Sequence, residues 1–126
     1  MTEHVLLIGA GAIGRVVLRE LAGEPRIKIS TVLVSPGRRI HYQQEIGGLA
    51  RVIDSLNDLD TAPDFALECA GHVAVRDHVP MLLRRGVDCA VASVGSLAES
   101  GLSEALERAA HDGNAQLTLI AGAVAG

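Results

Sequence analysis

The sequence predicts an α/β fold, a doubly wound, mostly parallel sheet of about six strands with helices on both faces. Three observations carry this. Of the 126 residues 48% are hydrophobic but only 2% aromatic, so the core is built from Val, Leu, Ile and Ala. That is the composition of a parallel sheet covered on both sides. Short apolar runs alternate along the chain with segments of helical periodicity. Finally, the apolar run Val5 to Ile8 leads directly into Gly9, Gly11 and Gly14, and a helical pattern follows at once.

The length suits one domain with a substantial core and not two. A net charge of −4, with the basic residues Arg38-Arg39 and Arg84-Arg85 only in pairs, argues against a nucleic-acid or membrane-surface partner. No apolar run reaches the ~18 residues of a membrane span. The amino terminus carries glycines and an Arg where a signal peptide would have its cleavage site, so a soluble, cytoplasmic protein is expected.

His4 to Ile8 reads as the first strand. Gly9 then makes a tight turn, Gly11 lets backbone approach a pyrophosphate, and Gly14 lets the next helix sit close to the strand. The unpaired N–H groups at the start of that helix would face the phosphates, which brings Ala12 and Ile13 into the site. This strand, glycine loop and helix together predict a Rossmann-type dinucleotide site. The helix, Ala12 to Leu21, is expected to turn Ile13, Val16, Val17 and Leu21 inward, and Gly23 and Pro25 stop it.

Ile27 to Val34 is the second strand, ended by Ser35-Pro36-Gly37. An acid at its end, about 20 residues past the glycines, would grip the adenosine ribose and select NAD. Here Ser35 is followed by Arg38 and Arg39, and a hydroxyl with two guanidinium groups suits a 2′-phosphate. NADP is therefore expected to be accepted alongside NAD. The alternative is that the two arginines are merely solvated loop residues.

Arg39 to Gly48 reads as a short helix or loop, Ala50 to Ile53 as an edge strand, and Ser55 to Leu59 as a helical turn. Asp64 to Ala70 is a strand that, in the order 3-2-1-4-5-6, lies beside the first, so its end faces the glycine loop. Ala70, Gly71 and His72 are cofactor candidates for that reason. His72 could contact cofactor, orient substrate or cap the next helix. That helix, Val73 to Arg85, should bury Val75, Val79, Leu82 and Leu83 and be kinked at Pro80.

Cys89 to Val94 is the fifth strand, and its end at Ser93, Val94 and Gly95 would approach the nicotinamide of an extended cofactor. A helix from about Leu102 to His111 buries Leu102, Ala105, Leu106 and Ala109, and Gln116 to Ala121 is the sixth strand. Cys69 and Cys89 are expected about four positions out of step, ~13 Å apart. That is too far for a disulfide, and neither has metal-ligand spacing, so no metal is expected.

Four segments together resemble the nucleotide-binding half of the L-aspartate dehydrogenase family. They are Ile8-Gly9-Ala10-Gly11-Ala12-Ile13-Gly14, Glu68-Cys69-Ala70-Gly71-His72, Ala92-Ser93-Val94-Gly95-Ser96-Leu97 and Ala121-Gly122-Ala123-Val124-Ala125-Gly126. The resemblance implies NAD(P)-dependent oxidative deamination, with hydride passing from the α-carbon of L-aspartate to nicotinamide. Iminoaspartate results, to be hydrolysed to oxaloacetate and ammonia or passed towards NAD biosynthesis. Family cofactor contacts would fall on Gly9, Gly11 to Gly14, the end of the second strand, Gly71 and His72, Ser93 to Gly95, and the turn at Ala121, Gly122 and Ala123.

The family's catalytic histidine belongs to a second domain beyond residue 126, so none of the five histidines here takes that role, and this chain alone should bind cofactor without turnover. A homodimer stays open as an assembly. Homoserine dehydrogenase and dihydrodipicolinate reductase share the two-domain plan and are the alternatives within the class. An NAD(P)-sensing regulatory module is the alternative outside it.

Overall fold

A computed structural model describes residues 2–120. Strand β1 (Glu3–Ile8) runs into helix α1 (Ala12–Leu21), then β2 (Ile27–Leu33), α2 (Arg39–Ile46) and β3 (Arg51–Ile53). The second half holds β4 (Phe65–Glu68), α3 (His72–Arg84), β5 (Asp88–Val91), α4 (Leu102–Gly113) and β6 (Leu117–Leu119). Short 3-10 turns occupy Gly47–Leu49, Leu56–Asp58 and Val94–Ala98.

The six strands form one sheet in the order β3-β2-β1-β4-β5-β6, and every pairing is parallel. The expected topology is therefore present. Because β1 pairs with β2 on one side and β4 on the other, connections leave it in opposite directions and open a crevice at the strand ends.

Side chains alternate along β1 and divide the core in two. Leu6 and Ile8 join Val75, Val79, Leu82, Leu83, Leu102 and Leu106 from α3 and α4. Val5 and Leu7 join Leu18 from α1 and Ile46 from α2 on the opposite face. Two helices thus cover each face, which is why β1 needs apolar residues at every position from Val5 to Ile8.

Several sequence expectations need correction. In α1 the fully buried residues are Gly14 and Leu18; Val17 and Leu21 pack half-buried against the core as expected, while Ile13 and Val16 are exposed. The helix is rotated so that its glycine makes the contact, and hydrophobic pattern alone cannot register a glycine as an inward residue. In α4, Leu102, Leu106 and Ala109 are buried as expected but Ala105 is exposed. Strand β5 ends at Val91, and the chain turns at Val94 instead of continuing as strand. Of the two readings left open for Arg39 to Gly48, the helix is the one present, over Arg39–Ile46.

Helix α3 buries the four expected residues and runs through Pro80 as one element. Cys89 pairs with Ala66, so Cys69 lies three positions further along, and both thiols are free.

The layer of α3 and α4 closes through a glycine. A Cβ on Gly113 would collide with the carbonyl oxygen of Leu83 and come within 2.7 Å of its carbon. Since both partners are backbone, neither can swing aside. Gly113→Ala should lower unfolding free energy by about 2 kcal/mol in urea denaturation, whereas Ala105→Ser on the exposed face should change it by less than about 0.5 kcal/mol.

Candidate functional site

The three glycines of the β1 to α1 loop have three distinct structural reasons. Gly9 has φ of 108° and lies so close to Ala70 that a Cβ would be 2.9 Å from its Cα and Cβ. A side chain at Gly14 would strike the carbonyl oxygen of Gly9, so the first turn of α1 rests directly on the loop. At Gly11 a Cβ would meet no protein atom within 4 Å and would project into open space. Gly11 is also the N-cap of α1, with no side chain capping it and no acid in the first turn. The leading N–H groups of the helix are left for an anion.

These residues floor a cleft of about 430 Å³ across the carboxyl ends of β1, β2 and β4. Gly9, Ala10 and Gly11 line its centre, Val34, Ser35 and Pro36 one side, and Cys69, Ala70, Gly71 and His72 the other. Tyr42 and His78 also line it. Of the residues expected from sequence, Gly9, Gly11, Ser35, Ala70, Gly71 and His72 are brought together here. Ala12, Ile13 and Gly14 form the helical turn behind the loop.

Arg38 is the N-cap of α2 and Arg39 its first residue, and both are exposed. The Arg38 guanidinium carbon lies 5.6 Å from the centre of the Tyr42 ring, a cation–π contact that holds it beside the cleft. No acid follows β2, yet one arrives from its neighbour. Asp54, just past β3, accepts a hydrogen bond from the Gly37 N–H at 3.1 Å. Sequence order hid that contact, because Asp54 reaches the turn only through the parallel pairing of β2 and β3.

Two further residues brace the site and were missed. Arg15 donates from Nε to the Ala10 carbonyl at 3.2 Å, and its guanidinium pairs with Glu45 of α2. Glu68, at the end of β4, is the one charged side chain that is fully buried among the described residues, with 1% exposure. Its Oε2 accepts from the N–H groups of Ala70 (2.8 Å) and Gly71 (2.7 Å) and from the Ser93 hydroxyl (2.7 Å). Its Oε1 accepts from the Ser93 N–H at 2.9 Å. A carboxylate inside an otherwise apolar strand was the available signal.

Ser93, just past β5, is tied through Glu68 to the Ala70 and Gly71 wall of the cleft, and Val94 and Gly95 open the turn Val94–Ala98. Ala121, Gly122 and Ala123 lie outside the described residues. His72 is the first residue of α3 and does not cap it, since Gly71 holds the N-cap position without a side-chain hydrogen bond. Its Nε2 lies 3.6 Å from Glu99 Oε1, which Arg76 also approaches at 3.5 Å.

Burial, and secondarily the neighbouring Glu68 charge, pushes the Cys69 thiol up to about 11. Burial with Asp88 takes Cys89 to about 12. His78 is lowered by burial, with Asp77 acting in the opposite direction. Both thiols are therefore neutral and unreactive at physiological pH.

The family model described as homoserine dehydrogenase, NAD binding domain, matches residues 9–119. The chain belongs to that family. This NAD-binding domain is 43% identical over 124 residues to the L-aspartate dehydrogenase of Ralstonia nicotianae, covering 96% of the chain and 46% of that protein. It is 37% identical over 123 residues to that of Pseudomonas aeruginosa, with the same coverage. The chain thus spans about half the length of the curated relatives it matches. The expected resemblance to L-aspartate dehydrogenases is borne out.

Among solved structures, aspartate dehydrogenase from Thermotoga maritima superposes with a TM-score of 0.71 at 20% identity, over 99% of this chain and 50% of that one. GenD2 from gentamicin A biosynthesis, in complex with NAD, gives 0.74 at 21%, over 94% and 34%. At these identities the likeness is one of fold. Among the described residues no helix is long and apolar enough to cross a membrane.

The residues fit NAD on the geometry of Gly11 and the uncapped α1 terminus. Because a Cβ at Gly11 meets no protein atom, Gly11→Leu should fold, at a cost of about 1 kcal/mol for a poorer N-cap, yet lose at least about tenfold in NAD affinity by calorimetric titration. The thiol shift gives a second outcome. Iodoacetamide should label Cys69 about 100-fold more slowly in the folded than in the urea-unfolded chain near pH ~8. Because the unfolded thiols ionise first, stability should fall as pH rises from about 9 towards 11.

Proposed function

We propose that this chain is the cofactor-binding portion of an L-aspartate dehydrogenase, which oxidatively deaminates L-aspartate to iminoaspartate and so to oxaloacetate and ammonia, linked to NAD biosynthesis. The observation that carries the reading is the 43% identity to an L-aspartate dehydrogenase across 96% of the chain. The matched span takes in the segments Gly9 to Gly14, Glu68 to His72 and Ser93 to Leu97. The homoserine alternative shares the family model but is less favoured, since the curated relatives at this level of identity carry the aspartate name.

Each part of the cleft has a role in this reading. Gly9, Gly11 and the first turn of α1, with Ala12, Ile13 and Gly14, hold the pyrophosphate. Ser35, Arg38 and Arg39 take the adenosine ribose and tolerate a 2′-phosphate, so NADP serves as well as NAD. The placement of Arg38 over Tyr42, a cleft residue, supports that role. Ala70, Gly71 and His72 line the nicotinamide half, and Ser93, Val94 and Gly95 adjoin it through the hydrogen bonds of Ser93 to Glu68. Ala121, Gly122 and Ala123 complete it by resemblance.

The cofactor, when bound, supplies a hydride acceptor. This chain's own residues bind and orient it, while the apolar walls formed by Ile8, Leu33 and Val34 keep water from the bound face. The substrate carboxylates and the catalytic histidine are assigned to the half of the relatives that this chain does not span. Two free thiols accord with a reducing, cytoplasmic compartment.

A chimera joining this chain to the remaining half of the Ralstonia nicotianae protein should reduce NAD with L-aspartate and not with L-homoserine. Activity with homoserine alone would overturn the reading. Replacing Arg38 and Arg39 together by Ala should weaken NADP about tenfold or more and NAD less than about threefold. Equal losses would remove the arginines from 2′-phosphate recognition.

A further inference from the structure

Glu68 braces the site, yet nothing so far explains why a buried carboxylate does this. A carboxylate removed from water costs several kcal/mol in effective terms unless its oxygens are fully engaged, so its retention in a core calls for a reason. Its four donors come from two different places: Ala70 and Gly71 in the turn after β4, and Ser93 after β5. The parallel pairing of Glu68 with Val91 sets those two ends side by side. The backbone meets there as well, since the Ala92 N–H donates to the Glu68 carbonyl at 3.0 Å. Glu68 therefore ties together two segments that would otherwise be independent loops.

The half of the cofactor lying there follows from the topology. The adenosine ribose belongs at the end of β2 and the pyrophosphate at the glycine loop, so the remaining half extends towards β4 and β5. Ala70 and Gly71 line the cleft, and Glu68 Oε2 sits one hydrogen bond behind their N–H groups. A nicotinamide ring is cationic when oxidised and neutral when reduced. A fixed negative charge behind this wall favours the oxidised form.

We propose that Glu68 is a positioning residue for the nicotinamide half, joining the turn at Ala70 and Gly71 to Ser93 and biasing the domain towards oxidised cofactor by its buried charge. This rests on the assignment of an NAD-binding domain and not on L-aspartate as substrate.

Substitution by glutamine separates this role from simple support of the fold. An amide has one acceptor oxygen, so its NH2 must face either the Ser93 N–H or the pair from Ala70 and Gly71. The tie is then broken at one end and the charge is gone. Ser93→Ala removes one of the four hydrogen bonds and keeps the charge.

The test is calorimetric titration of the full chain and both variants with oxidised NAD, reduced NAD and ADP, which carries the adenosine and phosphates but no nicotinamide. Glu68→Gln should leave ADP affinity within about twofold, weaken oxidised NAD about tenfold and weaken reduced NAD less, raising the ratio of the two dissociation constants. Ser93→Ala should weaken both dinucleotides by a similar, smaller factor of about threefold, with ADP and the ratio unchanged. Parallel losses for ADP and both dinucleotides in Glu68→Gln would reduce the residue to a structural support. An unchanged ratio in that variant would remove the charge effect and overturn the proposal. If Glu68→Gln does not fold, Ser93→Ala decides the positioning role, and unaltered dinucleotide affinity there would overturn it.

Discussion

The cleft depends on how closely the first turn of α1 rests on the end of β1. Gly14 sits against the Gly9 carbonyl at a distance no side chain allows, and this contact sets the rotation of the helix as well as its height above the sheet. Leu18 is carried inward one turn later, while Ile13 and Val16 are carried outward. Arg15 then falls where it can hold the Ala10 carbonyl and reach Glu45 on α2, so the glycine loop is fixed from its outer side as well. An anion-binding helix terminus works only if it does not shift when the anion arrives, and these contacts supply that rigidity.

On the other side of the crevice the same problem has a polar solution. The turn after β4 must remain close enough to Gly9 for Ala70 to touch it, and Gly71 adopts φ of 139°. Backbone in that conformation has no ladder partner for its N–H groups, and at this half-buried turn they need acceptors. Glu68 provides the acceptors from within the strand itself. One wall is thus held by the absence of side chains and the other by a single buried one.

How much of this was legible in the sequence depends on the kind of signal each residue leaves. The strand order followed from apolar runs and a glycine loop, because a parallel sheet covered on both faces leaves long stretches without polar residues. The face of α1 was half legible: Val17 and Leu21 do pack on the core, but hydrophobic periodicity gives weight to the exposed Ile13 and Val16 and none to the buried Gly14. Ala105 was misread for a related reason, since alanine is accepted on either side of a helix and does not declare its face. Glu68 and Asp54 were visible as residues but not as partners. The contacts of Glu68 with Ser93 span 25 positions, and that of Asp54 with Gly37 spans 17, so both exist only after strands have paired. Short-range spacing has no access to such pairs.

The central position of β1 carries a consequence for what binding reports. The first strand of the chain must find β4, and the Asp64 N–H donates to the His4 carbonyl across 60 residues of sequence. Closing a loop of that size carries an entropic cost that the contacts of β1 with β4 must offset. No fragment that ends before His72 can present both of its walls. A dinucleotide that spans this crevice therefore recognises completed folding, and its binding energy is added to the stability of the whole sheet and not to one loop.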